Sequence, residues 1–158
     1  MASAKHLLVD GPNILHAWPE LRSLLRRDRS AARSQLTGRL AAIHDAEAVR
    51  LTLVFDGRGP ELIFERQAQQ ETFTVLYTPS KFTADDIIER LVAGAAAPGD
   101  CHVATADQAE RRIIEGLGAQ WVSPEDLAAW CARAEGRTAA QAAGLRRRNA
   151  QEWQRPVS

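Results

Sequence analysis

The sequence is short of the groups that announce a crosslink, a zinc site or a membrane span. Only two cysteines occur in 158 residues. Cys101 and Cys131 have no C-x-x-C spacing, so they read as small buried hydrophobes in a reducing compartment, with a disulfide or metal site the less favoured reading. The four histidines, His6, His16, His44 and His102, show no paired ligand spacing, which disfavours zinc. No apolar run approaches the roughly 20 residues of a membrane helix. G-x-G-x-x-G and Walker sequences are missing, which argues against a dinucleotide enzyme or a P-loop NTPase, and there is no G-x-S-x-G elbow. No internal repeat occurs. Net charge is also missing, since 20 basic and 20 acidic residues cancel. A nucleic-acid partner would therefore need basic residues gathered on one face.

What remains is ordinary in bulk. An apolar share of 45% and a charged share of 25% suit one soluble globular domain. The first strand is expected within a few residues of Met1, which leaves no room for a signal peptide and points to the cytoplasm.

The informative feature is a repeated strand ending. Leu7-Leu8-Val9 is a buried-strand run that stops at Asp10, followed by Gly11-Pro12 and Asn13. A carboxylate at the end of a buried strand is costly unless paired, and in open α/β sheets that edge is where ligands bind. The simpler reading is a turn-starting cap. The pattern recurs: Arg50 to Phe55 is a second strand ending at Asp56, and Cys101 to Thr105 is a fourth that meets Asp107. Phe73 to Tyr77 is the third strand and Gln120 to Val122 the fifth. Between the second and third lies a loop to about Thr72, with Leu62 to Phe64 as a short extended piece.

The connecting helices carry their own signals. Leu36, Leu40 and Ile43 recur at helical spacing. Thr83-x-x-Asp86 reads as a capping box, which leaves Asp85 without a structural task. Asp107-x-x-Glu110 can be another such box, so capping competes with chemistry at Asp107. Ser123-Pro124 starts the last helix. Trp18 either packs in the core or stacks on a base.

Strand–helix alternation repeated five times implies a three-layer α/β/α, Rossmann-like domain with a mostly parallel five-stranded sheet, order 3-2-1-4-5. Asp10 and Asp107 would flank the switch point, with Asp56, Asp85 and Asn13 nearby. Two like charges about 4 Å apart repel by about 4 kcal/mol at an effective dielectric of roughly 20. Protons or a cation must offset that, and all-oxygen ligands suit Mg²⁺ or Mn²⁺.

The basic residues fall in two clusters. Arg22, Arg26, Arg27, Arg29 and Arg33 precede the first long helix, and Arg137, Arg146, Arg147, Arg148 and Arg155 mark the tail. Each cluster is either a solvated helix face or a phosphate contact. The domain is expected over 1–135, with 136–158 a basic, alanine- and arginine-rich helix or tail.

Val9 to Asn13 (V-D-G-P-N), Val54 to Asp56 (V-F-D), Tyr77 to Asp85 (Y-T-P-S-K-F-T-A-D) and Val103 to Asp107 (V-A-T-A-D) together resemble the YacP-like branch of the NYN domains. These are PIN-like ribonucleases whose bacterial members include ribosome-associated endoribonucleases. The resemblance spans roughly Lys5 to Trp130 and implies an acidic metal site of Asp10, Asn13, Asp56, Asp85 and Asp107. Asp10 and Asp85 would be direct ligands, with Asp107 and Asp56 direct or through water. Asn13 would orient a ligand or the scissile phosphate, and Thr105 would donate a hydrogen bond inside the site. The implied activity is Mg²⁺- or Mn²⁺-dependent cleavage of single-stranded RNA, with mRNA on the ribosome as one setting. Arg22, Arg26, Arg27, Arg29, Arg58, Lys81 and Arg146 to Arg148 are the expected RNA contacts. The alternative is a non-catalytic RNA- or ribosome-binding module with a vestigial acidic pocket. A phosphatase-like Rossmannoid is weaker, because Asp10-Gly11-Pro12 lacks a second aspartate.

Overall fold

Leu7, Leu8 and Val9 are fully buried, as a strand sandwiched between two helical layers must be. They form the centre of β1 (His6–Asp10), and the computed structural model describes residues 5–67 and 71–153 around it. After β1 come α1 (Gly11–Ala17), α2 (Pro19–Arg27), α3 (Arg29–Ala46), β2 (Arg50–Phe55), β3 (Ile63–Arg66) and β4 (Phe73–Tyr77). Then follow α4 (Ala84–Ala93), a 3₁₀ turn (Pro98–Asp100), β5 (Cys101–Ala104), α5 (Gln108–Gly116), β6 (Gln120–Val122) and α6 (Pro124–Trp153).

The sheet order is β3-β4-β2-β1-β5-β6. All neighbours are parallel except β3 and β4, which are antiparallel. The five strands read from sequence take the expected 3-2-1-4-5 order, and β3 is an added sixth strand at the edge. It overlaps the short extended piece expected at Leu62 to Phe64; its four residues are all exposed, so no hydrophobic alternation marks it as a sheet strand and the ladder to β4 makes it one. Residues 68–70 of the loop that follows lie outside the described residues.

Period-two alternation divides the core. Leu7, Val9, Leu51, Leu53 and Val75 face α1, α2, α3 and α6, whereas Leu8, Val54 and Leu76 face α4 and α5. Trp18 belongs to the first layer. It is 4% exposed and donates from Nε1 to the Pro124 carbonyl at 2.9 Å, so it packs and does not stack on a base. The arginine-rich run is two helices, because Asp28 accepts from Ala31 N at 3.0 Å and restarts the chain as α3. Both cysteines are buried and free.

α6 is one continuous helix across the expected boundary after residue 135. Leu127, Cys131 and Ala134 are buried in the core layer shared with α3, and from Glu135 to Gln151 the helix is mostly exposed. The boundary thus marks where packing ends, not where the helix does. Arg155 lies outside the described residues.

His6 makes the fold pH-sensitive away from the crevice. Its Nε2 lies 2.8 Å from Thr52 Oγ1, and burial, then the Arg50 charge, lowers its pKa to about 4. The folded state resists a proton that the unfolded chain accepts near 6.5, so this contribution is full above pH 6.5 and lost as pH falls through about 4. Urea melts between pH 7 and pH 4 are expected to show His6→Gln with the flatter profile. One proton sets an upper slope of about 1.4 kcal/mol per pH unit, reduced by the solvent that still reaches the ring.

Candidate active site

β1 has β2 on one side and β5 on the other, so the chain changes direction of travel across the sheet at Asp10. Asp10 is 2% exposed. It caps α1 by accepting from Asn13 N on Oδ1, and the Asn13 amide donates to its Oδ2, both at 3.3 Å. The turn fits only because residue 11 has no Cβ: one there would lie 2.4 Å from the Phe55 ring and 2.7 Å from the Val54 carbonyl. Asn13 Oδ1 then accepts from Ala106 N at 3.3 Å, tying the end of β1 to the loop after β5.

That loop brings in a residue the sequence reading had passed over. Glu110 lies on the first turn of α5 and is 1% exposed. Its Oε2 accepts from Thr105 Oγ1 at 2.6 Å, and its buried Oε1 has no partner among the described residues. The expected capping box at Asp107-x-x-Glu110 does not form. Asp107 does cap α5, accepting on Oδ1 from Ala109 N at 2.8 Å and Glu110 N at 3.3 Å, but Asp107 N donates to Thr105 Oγ1 instead of to Glu110. Glu110 turns inward to meet Asp10. The only sequence signal for this was its spacing from Asp107, which capping explained equally well.

Asp10 and Glu110 are neighbours in a buried crevice, close enough for each to shift the other's titration although Glu110 Oε1 makes no hydrogen bond among the described residues. Burial raises the Asp10 pKa, the hydrogen bonds from Glu110 and Asn13 N oppose this, and the Asp85 charge adds to it. Burial pushes Glu110 up to about 10, helped by the Asp10 hydrogen bond and charge and opposed by the Thr105 hydroxyl. Burial and mutual repulsion thus both favour a proton on this pair over two adjacent buried charges.

The other predicted residues surround this pair unequally. Asp85 starts α4, accepts from Thr83 Oγ1 and from Asp86 N, and its charge reaches both Asp10 and Glu110. The Thr83–Asp86 capping box is present as expected. Asp56 is exposed, and its Oδ1 accepts from Ala84 N at 2.9 Å, locking the end of β2 to the start of α4. Burial, then the charges of Asp85, Asp86 and Asp107, raises Glu89, so the acidic rim extends along α4. Among the described residues no three Asp, Glu, His or Cys side chains form a ready-made metal cage.

The Asp56 turn depends on a second glycine. A Cβ at residue 57 would lie 2.1 Å from the Thr78 carbonyl, and Gly57 N donates to Thr78 Oγ1 at 3.2 Å. Backbone must move to admit any side chain. Gly57→Ala is expected to cost roughly 1–3 kcal/mol, or roughly 3–10 °C in melting temperature, measurable by calorimetry.

The expected RNA contacts separate in space. Arg22, Arg26 and Arg27 are exposed on α2, Arg29 opens α3, and Arg58 and Lys81 are exposed in the loops after β2 and β4. Arg146 to Arg148 lie about 33 Å along α6 from its start. That helix runs antiparallel to the strands, which carries them away from the carboxylates.

Comparison with known proteins identifies the family and agrees with the fold. The YacP-like NYN domain profile matches residues 7–157, tail included. YacP of Bacillus subtilis strain 168 is 33% identical over 122 residues, covering 77% of this chain and 71% of its own. A crystal structure of Rae1 (YacP) from Bacillus subtilis, a tryptophan-to-leucine mutant, matches with TM-score 0.73 at 30% identity, covering 89% of this chain and 83% of that one. A second Rae1 (YacP) structure matches with TM-score 0.73 at 28% identity, covering 92% and 84%. NYN membership suggests a nuclease-type, RNA-related function. The chain belongs to the YacP-like NYN domain family.

Proposed function

We propose that the chain is a Mg²⁺- or Mn²⁺-dependent endoribonuclease acting on single-stranded RNA. The observation that carries this is the buried Asp10–Glu110 pair at the switch point, with the Glu110 Oε1 unpartnered and the Asp85 charge beside it. Such a pair needs a positive charge, and a proton and a cation are the two candidates. The donors are all hard oxygens, which suit Mg²⁺ or Mn²⁺. Mg²⁺ keeps several waters and needs only one or two direct carboxylates, so a three-sided cage is not required.

In this reading Asp10, Glu110 and Asp85 hold the cation. When bound, it polarises the phosphodiester and lowers the pKa of an attacking water. Asn13 fixes both oxygens of Asp10, and Thr105 holds one oxygen of Glu110 while the other is buried without a partner among the described residues. Asp107 aims α5, and Asp56 fixes α4 so that Asp85 stays at the rim. The ribosomal setting rests on the family resemblance alone. The lack of a ready-made cage among the described residues favours a second reading, an RNA-binding module with a vestigial pocket.

Incubation of the purified protein with a mixed single-stranded RNA pool, in Mn²⁺ or in EDTA, separates the two. Internal cleavage in Mn²⁺ that EDTA abolishes is the expected result. Cleavage that persists in EDTA excludes the mechanism, and RNA bound but uncut with every divalent cation selects the module.

A further inference from the structure

A groove of about 670 Å³ runs along α3, on the sheet face opposite α4 and α5. It exists because the sheet is wider than its cover: β4 and the added strand β3 extend past α3. One wall is α3, with Arg29, Arg33, Ser34 and Gly38, the floor includes Phe73 and Tyr77, and the far wall holds Glu65. Its upper end opens into smaller hollows lined by Arg29, Arg33, Asp56 and Arg58, so it is continuous with the carboxyl edge.

Two features of the groove wall bear on what it could hold. The Arg33 guanidinium lies 5.0 Å from the Phe55 ring centre and 5.7 Å from that of Tyr77, and Nη2 donates to the Asp56 carbonyl at 3.4 Å. Its Nε is nonetheless buried without an acceptor among the described residues. Arg33 itself lines the groove, and with Arg29 and Arg58 at the same end it offers charge to a phosphate. Gly38 stands in the middle of an 18-residue helix, where glycine is a poor choice, and nothing lies within 4 Å of where its Cβ would be. Its bareness keeps the groove open.

We propose that this groove carries the single-stranded RNA flanking the scissile bond, with phosphates along Arg29, Arg33 and Arg58 and an unpaired base against Tyr77. The inference rests on the nuclease reading only for the identity of the strand. Charge placement fits: the three arginines cluster at the end nearest the carboxylates, which would otherwise repel the polyanion. The acids lie elsewhere. Glu65 on the opposite wall takes the Tyr77 hydroxyl, and Asp45 at the lower end pairs with His44. Aromatic faces accept any unpaired base, so the grip would be tolerant of sequence.

The test measures binding without cleavage. A fluorescent single-stranded oligouridylate is titrated, across a range of salt, into Asp10→Asn protein carrying either Arg33→Met or Gly38→Gln. Arg33→Met keeps an unbranched apolar side chain and removes the guanidinium together with its stacking over Phe55 and Tyr77, so its melting temperature is read beside its binding. It is expected to weaken binding roughly tenfold or more and to reduce the log–log salt slope by about 0.7. Gly38→Gln changes no charge. It is expected to weaken binding at unchanged slope while melting at or above its parent. Variants that both bind like the parent overturn the proposal and leave the groove to another occupant, such as a peptide. Duplex RNA that competes as well as the single strand also overturns it. A wild type that fails to cut RNA, while both variants lose binding, would sink the nuclease reading and keep the groove.

Discussion

Asp10→Asn protein is expected to fold normally and to cut RNA on the order of 10²–10⁴-fold more slowly than wild type. The fold survives because asparagine caps a helix about as well as aspartate, and the Asp10 side chain accepts from Asn13 N at the start of α1. Under the proposed mechanism chemistry fails because the variant removes a carboxyl that would hold the cation, and cation stabilisation of a phosphodiester transition state is worth several kcal/mol, at about 1.4 kcal/mol per tenfold in rate. In EDTA the variant should melt at or above wild type, since a carboxylate that is 2% exposed is costly without a counterion. Single-turnover cleavage in Mn²⁺ and melting in EDTA check both halves. A variant that cuts like wild type would reduce Asp10 to a helix cap.

The second large effect belongs to Glu110. In EDTA near neutral pH, Glu110→Gln is expected to stay within about 1 kcal/mol of wild type, because burial and the Asp10 charge favour the protonated carboxyl, which the amide resembles. The amide nitrogen can donate toward Asp10 and the amide oxygen can accept from Thr105. Added Mn²⁺ should separate the proteins. Wild type gains about 2.7 kcal/mol when free metal is a hundredfold above its dissociation constant, a shift of roughly 6–10 °C. Glu110→Gln cannot give up a proton to a cation, so most of that shift should vanish and cleavage should fall on the order of 10²-fold. Paired melts in EDTA and Mn²⁺ measure it. A full Mn²⁺ shift with full cleavage would return Glu110 to the role of a buried side chain held by Thr105.

These two positions also show what could be read without coordinates. Asp10 was legible because local signals agreed: an apolar run, an abrupt carboxylate, and the Gly-Pro pair that ends the strand. The order of the five parallel strands was legible for the same reason, since alternation of buried strands and one-faced helices leaves few right-handed topologies. The Thr83–Asp86 box was readable because capping is a contact between residues three apart.

Local signals determined nothing that depends on depth or on distant neighbours. Glu110 and Asp86 occupy equivalent places three residues after a cap, yet Asp86 bonds back to Thr83 N and Glu110 turns into the core. The difference is set by β1, about a hundred residues earlier in the chain, whose terminal carboxylate offers Glu110 a partner once both are buried. β3 has no buried face, so only its ladder with β4 makes it a strand. The groove beneath Arg33 follows from that extra width, because a helix and a sheet edge define a trough only when they are folded against each other. Sequence alone thus determined the layers, the strand order and the carboxylates at the crevice. Tertiary structure decided which carboxyls are buried side by side, because burial and proximity are not properties of a segment.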